Sequence, residues 1–355
     1  LAGYGIADPE VPVPVPSRDA APDVLVIGAG LSGLAAARAL RAAGRRPLVL
    51  DKSRGVGGRC ATRRVDGMPF DHGAPFVHGS DPDFRAMVRS VPGPRRDGWP
   101  SRVVGDGAPC HPATFRPGGF RCAFPAGMTA LAKHLADGVE IAQPVRITGL
   151  TRAGGAVAAS GDAGQSFEAP DLVLALPVEQ AAALLASLGP TPGLAAAHRV
   201  LGWFVTEPGL MLAAGYPLDT PEPDFDLLLP HKHPAFQQVV NDGAKRAGRD
   251  SRALVFHTHP RFAAAWLERD RTDWAAVLLD HAAALLGDWA RAPTWTSTHR
   301  WRYARVPSGL GLSGPLRTVL PGGARLVLTG EAFDPDGGLE GAWRAGRRAA
   351  QLLLP

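Results

Sequence analysis

The chain of 355 residues is poor in cysteine, lysine and tyrosine, and it has no long uninterrupted apolar run. Its three cysteines, Cys60, Cys110 and Cys122, are too few and too irregularly spaced for a disulfide framework or a zinc site. Only Cys110 with Cys122 stays open as a pair, and a reducing, cytoplasmic setting is the simpler expectation. Every apolar stretch is broken well short of the roughly 18 residues that span a bilayer, so no membrane helix is expected. The four lysines and 34 arginines exceed 33 acids by five charges, yet they form no run of five or six. Scattered charge of this kind sets nucleic acid aside as a partner. The chain also shows no Ser/His/Asp triad pattern and no metal-ligand spacing, so no metal is expected.

Residues 1–22, with Pro12, Pro14 and Pro16, read as an extended arm, a candidate dock for a protein partner. The arm lacks the basic start and apolar centre of a secretory signal. From Asp23 the pattern changes. The apolar run Val24–Ile27 leads into Gly28-Ala29-Gly30-Leu31-Ser32-Gly33, an Ala/Leu/Arg helix follows to about Ala43, and a second strand, Pro47–Leu50, ends at Asp51. This is a βαβ unit with the dinucleotide fingerprint in its expected context. Gly28 suits the tight turn, Gly30 the approach of a pyrophosphate, and Gly33 the packing of helix on strand. The N-terminus at Leu31-Ser32 faces phosphate charge, and Asp51 is placed to accept from a ribose hydroxyl.

Further strands are expected at Val139–Ile141, Val145–Leu150, Leu172–Leu176, Val200–Thr206, Phe225–Leu229, Ala253–His257 and Leu326–Thr329, with a last helix over Leu339–Leu353. The middle of the chain alternates like antiparallel sheet. The expected fold is α/β, a Rossmann-type domain with an inserted mixed or antiparallel sheet. Segments 23–80, 120–190 and 321–355 form the first domain, and 81–119 and 191–320 the substrate domain.

Lys52-Ser53-Arg54-Gly55-Val56-Gly57-Gly58-Arg59-Cys60-Ala61-Thr62-Arg63-Arg64 resembles the second FAD fingerprint of the flavin amine oxidase superfamily, in a spelling most similar to the renalase branch. Asp71-His72-Gly73-Ala74, Phe124–Leu131, Asn241–Lys245, Val255–His257 and His299–Ala304 agree with it, as does Gly330-Glu331…Gly338-Leu339-Glu340-Gly341-Ala342-Trp343. The matches run from about Asp23 to the end. The resemblance implies a two-domain flavoprotein with noncovalent FAD, and it adds Lys52, Arg54, Gly58, Arg59, Gly73, Ala74, Val145, Gly330 and Glu331 to the cofactor set. The physical case for FAD over NAD agrees. Arg54 and Arg59 bring charge next to the phosphates, and backbone N–H groups of Glu340, Gly341 and Ala342 at a helix start would face the pyrimidine end of a reduced flavin. The pattern departs from the family at Asp51, where Glu is common, at Glu331, where Asp is usual, and over Phe76–Ser80.

Renalase-like enzymes oxidise 2- or 6-dihydro isomers of NAD(P), passing hydride to flavin N5 and electrons on to O2. Such a reaction needs positioning more than acid–base catalysis, because the departing hydride leaves an aromatic pyridinium. Here the resemblance points to His257 beside the carboxamide, Trp301 on the ring, Tyr303 in the same motif and Arg302 on substrate phosphate. By strand alternation His257 and His259 share a face opposite Phe256. The alternative is an amine oxidase, whose aromatic walls and flavin-side lysine are thinly supplied here: Tyr4, Tyr216 and Tyr303 are the tyrosines, and Lys232 and Lys245 are expected on the surface. A third reading is a flavin-bearing accessory subunit.

Overall fold

The computed structural model describes residues 21–246, 252–307 and 309–355, so the arm expected over 1–22 lies, up to residue 20, outside the described residues. Its first layer is a six-stranded sheet in the order Leu316–Val319, Arg325–Leu328, Asp171–Leu174, Val24–Ile27, Pro47–Leu50, Glu140–Ala142, all parallel but for the first. Val24–Ile27 and its two neighbours are buried along their whole length, as continuous Val/Leu/Ile runs require when helices cover both faces. Helices Leu31–Ala42 and Gly338–Gln351 pack on one face. An antiparallel sheet of Ile147–Ala153, Ala156–Gly161 and Ser166–Ala169 flanks the other.

The second layer is a six-stranded sheet, Trp295–Arg305, Glu207–Tyr216, Arg252–Thr258, Phe236–Asn241, Leu227–Leu228 and Val103–Val104, antiparallel except for its last pair. One face carries Leu212, Leu254 and Phe256 against Trp274 and Leu278 of helix Arg271–Leu286. The other carries Met211, Ala213 and Val255 against Phe70, Phe76, Trp99 and Trp301. That second face is turned toward the dinucleotide layer and frames the candidate site. No helix among the described residues is long and apolar enough to cross a membrane.

Three expectations need correction. Val200–Thr206 is not a strand: Thr191 caps a helix over Pro192–Leu201, its side chain accepting from the Leu194 N–H (3.2 Å), and Trp203 and Val205 beyond it are exposed. A capping Thr with Pro at the first helical position outweighs a few β-favouring residues. The boundaries also shift. Leu316–Val319 pairs with Arg325–Leu328, so the cut at 321 falls inside a hairpin, and Leu194, Leu201 and Phe204 sit in the first layer's core. Helix Pro82–Ser90, expected with the substrate domain, packs Phe84 on Trp343 of the last helix (5.4 Å). All three cysteines are free thiols, and burial pushes Cys122 up to about 12.

Candidate functional site

At the cradle, glycine is required for opposite reasons at successive positions. Gly28 has φ +111°, and a Cβ there would lie 2.5 Å from the Ala175 carbonyl oxygen; one on Gly33 would lie 1.9 Å from that of Gly28. A Cβ on Gly30 would meet nothing within 4 Å. Gly28 and Gly33 therefore compact the turn, while Gly30 faces open space of the kind a pyrophosphate needs. Helix Leu31–Ala42 starts from Gly30 with no side-chain cap, so its N-terminal donors are left for an anion. Leu31 and Ser32 are buried, and the Ser32 hydroxyl meets that of Thr329 (3.0 Å), tying the first helix to the last parallel strand.

Asp51 holds the rim of the cradle, one carboxylate oxygen accepting from the Ala29 N–H (2.6 Å) and the other from that of Ser53 (2.7 Å). Val145 donates its N–H to the Asp51 carbonyl (2.7 Å) and buries its side chain. The fingerprint loop closes over Gly30: Gly57 donates to the Ala29 carbonyl (2.9 Å), and exposed Gly58 stands opposite Gly30. Lys52 and Arg54 are exposed at the loop's outer end.

Arg59 differs from expectation. Its guanidinium binds the Glu331 carboxylate and the Ala304 carbonyl (3.1 Å), bridging the two layers, so it does not present an unpaired charge to phosphate. Gly73 and Ala74 pack under it. A Cβ on Gly73 would lie 2.0 Å from the Arg59 carbonyl oxygen, which accepts the Ala74 N–H at 2.9 Å. Gly330, at φ +146°, makes the turn before Glu331. The final helix begins at Gly338, and Gly341 already donates to the Gly337 carbonyl (2.9 Å). The donors this end can offer are therefore those of 338–340, not 340–342. Glu340 turns its carboxylate to the N–H groups of Ser80 (2.6 Å) and Asp81 (3.1 Å), Gly341 backs onto Asp334, and Ala342 is buried. The open Gly30–Gly58 cleft, the Asp51 rim and two helix starts without side-chain caps fit an FAD running from Asp51 toward Gly338.

On the substrate side, Trp301 donates its indole N–H to the His72 carbonyl (2.9 Å), stacks on the His72 ring (5.3 Å, 17°) and meets the edge of His299 (4.1 Å). Tyr303, two residues along the same strand, is half-buried. Arg302 alternates to the opposite side, where it is exposed and paired with Glu268 (2.5 Å), so the structure does not bring it to the site. His257 lies on the face of Val255 with its Nε2 buried and without a partner. His259 does not share that face, because the strand ends at Thr258 and His259 begins the turn of helix Pro260–Trp266. Burial, reinforced by Arg63, holds His72 down at about 3 and His299 at about 4; burial beside Lys245 and Arg305 holds His257 at about 4.

Lys245, expected at the surface, is wholly buried. Its ammonium contacts Asp71 (2.5 Å), Asp242 (2.7 Å) and the Pro75 carbonyl (2.7 Å), while Arg246 spans the same two carboxylates at 2.9 and 2.7 Å. Nothing local in the sequence links Asp71 with the 241–245 segment that it meets. His78, within the departing stretch Phe76–Ser80, places its ring 4.8 Å from that of His111. His111 donates from Nε2 to the Asp336 carbonyl (2.8 Å) and accepts the Ala113 N–H at Nδ1, which sets it beside Gly338. No local pattern shows that His111 reaches this end of the last helix, because Asp336 lies 225 residues away.

Residues 26–91 match the NAD(P)-binding Rossmann-like domain, and residues 104–354 match the flavin containing amine oxidoreductase family. The chain belongs to that family and is an FAD-dependent oxidoreductase. Among curated relatives, polyamine oxidase 4 of Oryza sativa subsp. japonica is 50% identical over 58 residues, which is 16% of this chain and 12% of that protein. The likeness to solved structures is far longer. Putrescine oxidase bound to putrescine aligns over 94% of this chain and 99% of its own at 16% identity and a TM-score of 0.68. Cyclohexylamine oxidase from Brevibacterium oxydans aligns over 94% and 99% at 15% and 0.70. At such identities the likeness is one of fold.

Proposed function

We propose that this flavoprotein oxidises 2- or 6-dihydro isomers of NAD(P), in the manner of renalase, with FAD held noncovalently. The Gly28–Gly33 turn, the Asp51 rim and the helix start at 338–340 would hold FAD, which would supply two-electron chemistry by which the substrate's hydride, one proton and O2 give a pyridinium and hydrogen peroxide. The protein's own contribution is orientation. Trp301 and His72 offer a stacked aromatic wall, and the unpartnered Nε2 of His257 offers a buried polar contact suited to a carboxamide. That orphan nitrogen on the sheet face turned to the cradle is the observation that carries the reading.

The amine-oxidase alternative is weaker on the same residues. An amine arrives mostly as ammonium at neutral pH, and imidazoles held at about 3 to 4 are poor bases for it. Lys245 has its three donors engaged by Asp71, Asp242 and Pro75. Tyr216 belongs to the opposite core, where its hydroxyl binds the Ala290 carbonyl (2.9 Å). The test is anaerobic titration of the purified yellow protein. A 2- or 6-dihydro isomer should bleach it much faster than 4-dihydro NADH or any simple amine; rapid bleaching by an amine and none by dihydro isomers would reverse the assignment. Denaturation should release all the flavin, and colour left on the precipitated chain would contradict noncovalent binding.

A further inference from the structure

One cation reaches the aromatic wall of Trp301 and His72 through a direct contact. Arg63, on strand Thr62–Val65 of the fingerprint hairpin, donates from its guanidinium to His299 Nδ1 (2.8 Å) and, more loosely, to the Thr298 carbonyl (3.4 Å). An arginine has only donors, so His299 accepts at Nδ1 and in its neutral ring keeps the proton on Nε2. The His299 ring in turn lies 4.1 Å from that of Trp301 and 4.9 Å from that of His72. Strand alternation separates Arg63 from Thr62, whose hydroxyl goes to Asp71 (2.5 Å), so its hydrogen bonds are made to the substrate sheet and not to the cradle.

No carboxylate among the described residues is in ion-pair contact with Arg63, whereas Arg59 is spent on Glu331 and Arg302 on Glu268. Arg63 is exposed, and its remaining N–H groups have no partner among the described residues. Partial desolvation and, after it, the like charge of Arg271 at the start of helix Arg271–Leu286 lower its pKa. A guanidinium fixed by a neutral imidazole and set near a second cation attracts an anion. It stands one imidazole away from the indole wall, and the first phosphate of a nicotinamide nucleotide stands one ribose away from its ring.

We propose that Arg63, aimed by His299, is the phosphate ligand of the substrate site, the part that Arg302 cannot play from the opposite side of its strand. The inference rests on the dihydropyridine reading above and deepens it: the enzyme would select phosphorylated dihydronicotinamides over uncharged or cationic donors through a charge held against the ring-binding wall.

The experiment compares the flavin-loaded protein with Arg63→Gln and Arg63→Lys. In Arg63→Gln, flavin reduction by a dihydro-NAD isomer should show KM raised about tenfold or more, while KM for the matching dihydronicotinamide riboside, which has no phosphate, changes about twofold at most. Arg63→Lys, which keeps the charge and loses the fork, should show a smaller defect confined to the phosphorylated donor, and it carries the comparison alone if Arg63→Gln fails to fold. Calorimetry with inorganic pyrophosphate should show binding to the wild type that Arg63→Gln weakens about tenfold, with FAD content unchanged. Equal effects on the two donors, pyrophosphate binding indifferent to Arg63, or a loss of FAD without discrimination between donors would each overturn the assignment. Pyrophosphate binding that depends on Arg63, in a protein that no dihydro isomer reduces, keeps the anion site and removes the reading of the reaction.

Discussion

The dinucleotide cradle and the substrate-facing sheet are built by opposite means. Gly28, Gly30 and Gly33 lie within six residues and act through the backbone: two positions admit no Cβ, and one faces open space. The substrate face draws His72, His257, His299, Trp301 and Lys245 from four separate segments and acts through side chains held by burial and ion pairs. The cradle is thus a local device that tolerates distant change. The substrate face is a collective one, in which removing a partner leaves another group stranded.

The sharpest break should come from Lys245→Met, which leaves two buried carboxylates to Arg246 alone. A loss of about 3–5 kcal/mol is expected in denaturant unfolding, against near-neutral behaviour if the lysine were a surface residue. Next comes the cradle. Gly33→Ala should cost about 3 kcal/mol and yield protein poor in flavin, because its methyl group has no room; Gly30→Ala should leave apo stability almost unchanged and weaken FAD alone. Equal effects at the two glycines would contradict the division of labour between them. Asp51→Ala should lower FAD affinity about tenfold to a hundredfold, 1–3 kcal/mol, by freeing the Ala29 and Ser53 N–H groups and removing a ribose acceptor; fluorescence titration of released FAD reads it.

Acid should distinguish the two regions more gently. His72, His257 and His299 stay neutral in the folded protein down to about 3 to 4, whereas unfolded histidine protonates near 6.5. Between those values the unfolded chain binds more protons, so stability falls as pH drops from about 6.5 toward 4 and is flat above. Each imidazole contributes about 1 kcal/mol per pH unit, and Tm measured from pH 7 to 5 should show a slope that His257→Gln reduces. The smallest effect is expected at Arg302→Ala, with no resolvable change in unfolding midpoint or in flavin reduction, since its pair with Glu268 lies in solvent on the far side of the strand. A large kinetic defect there would put Arg302 back in the site.

Much of the cradle was legible because its meaning is local. Strand, glycine turn, helix and acid follow one another within thirty residues, and each glycine has a steric reason that spacing alone conveys. Strand alternation likewise placed Phe256 on the helix-covered face opposite His257. Legibility failed wherever the partner was remote. Arg59 was assigned to phosphate, but it reaches Glu331 272 residues on. Lys245 looked like a surface cation, yet Asp71, 174 positions earlier, buries it with Asp242. His259 fell off the predicted face because the strand ended one residue sooner.

The sequence by itself determined the α/β class, the dinucleotide fingerprint and the buried first strands, since hydrophobic period and glycine sterics are properties of neighbouring residues. Only the tertiary structure decided which charges are spent on each other, which imidazoles are dry and neutral, and which face of the Trp295–Arg305 strand meets the cradle. Ion pairing and desolvation depend on what folds into contact across hundreds of residues, and no local pattern encodes that distance.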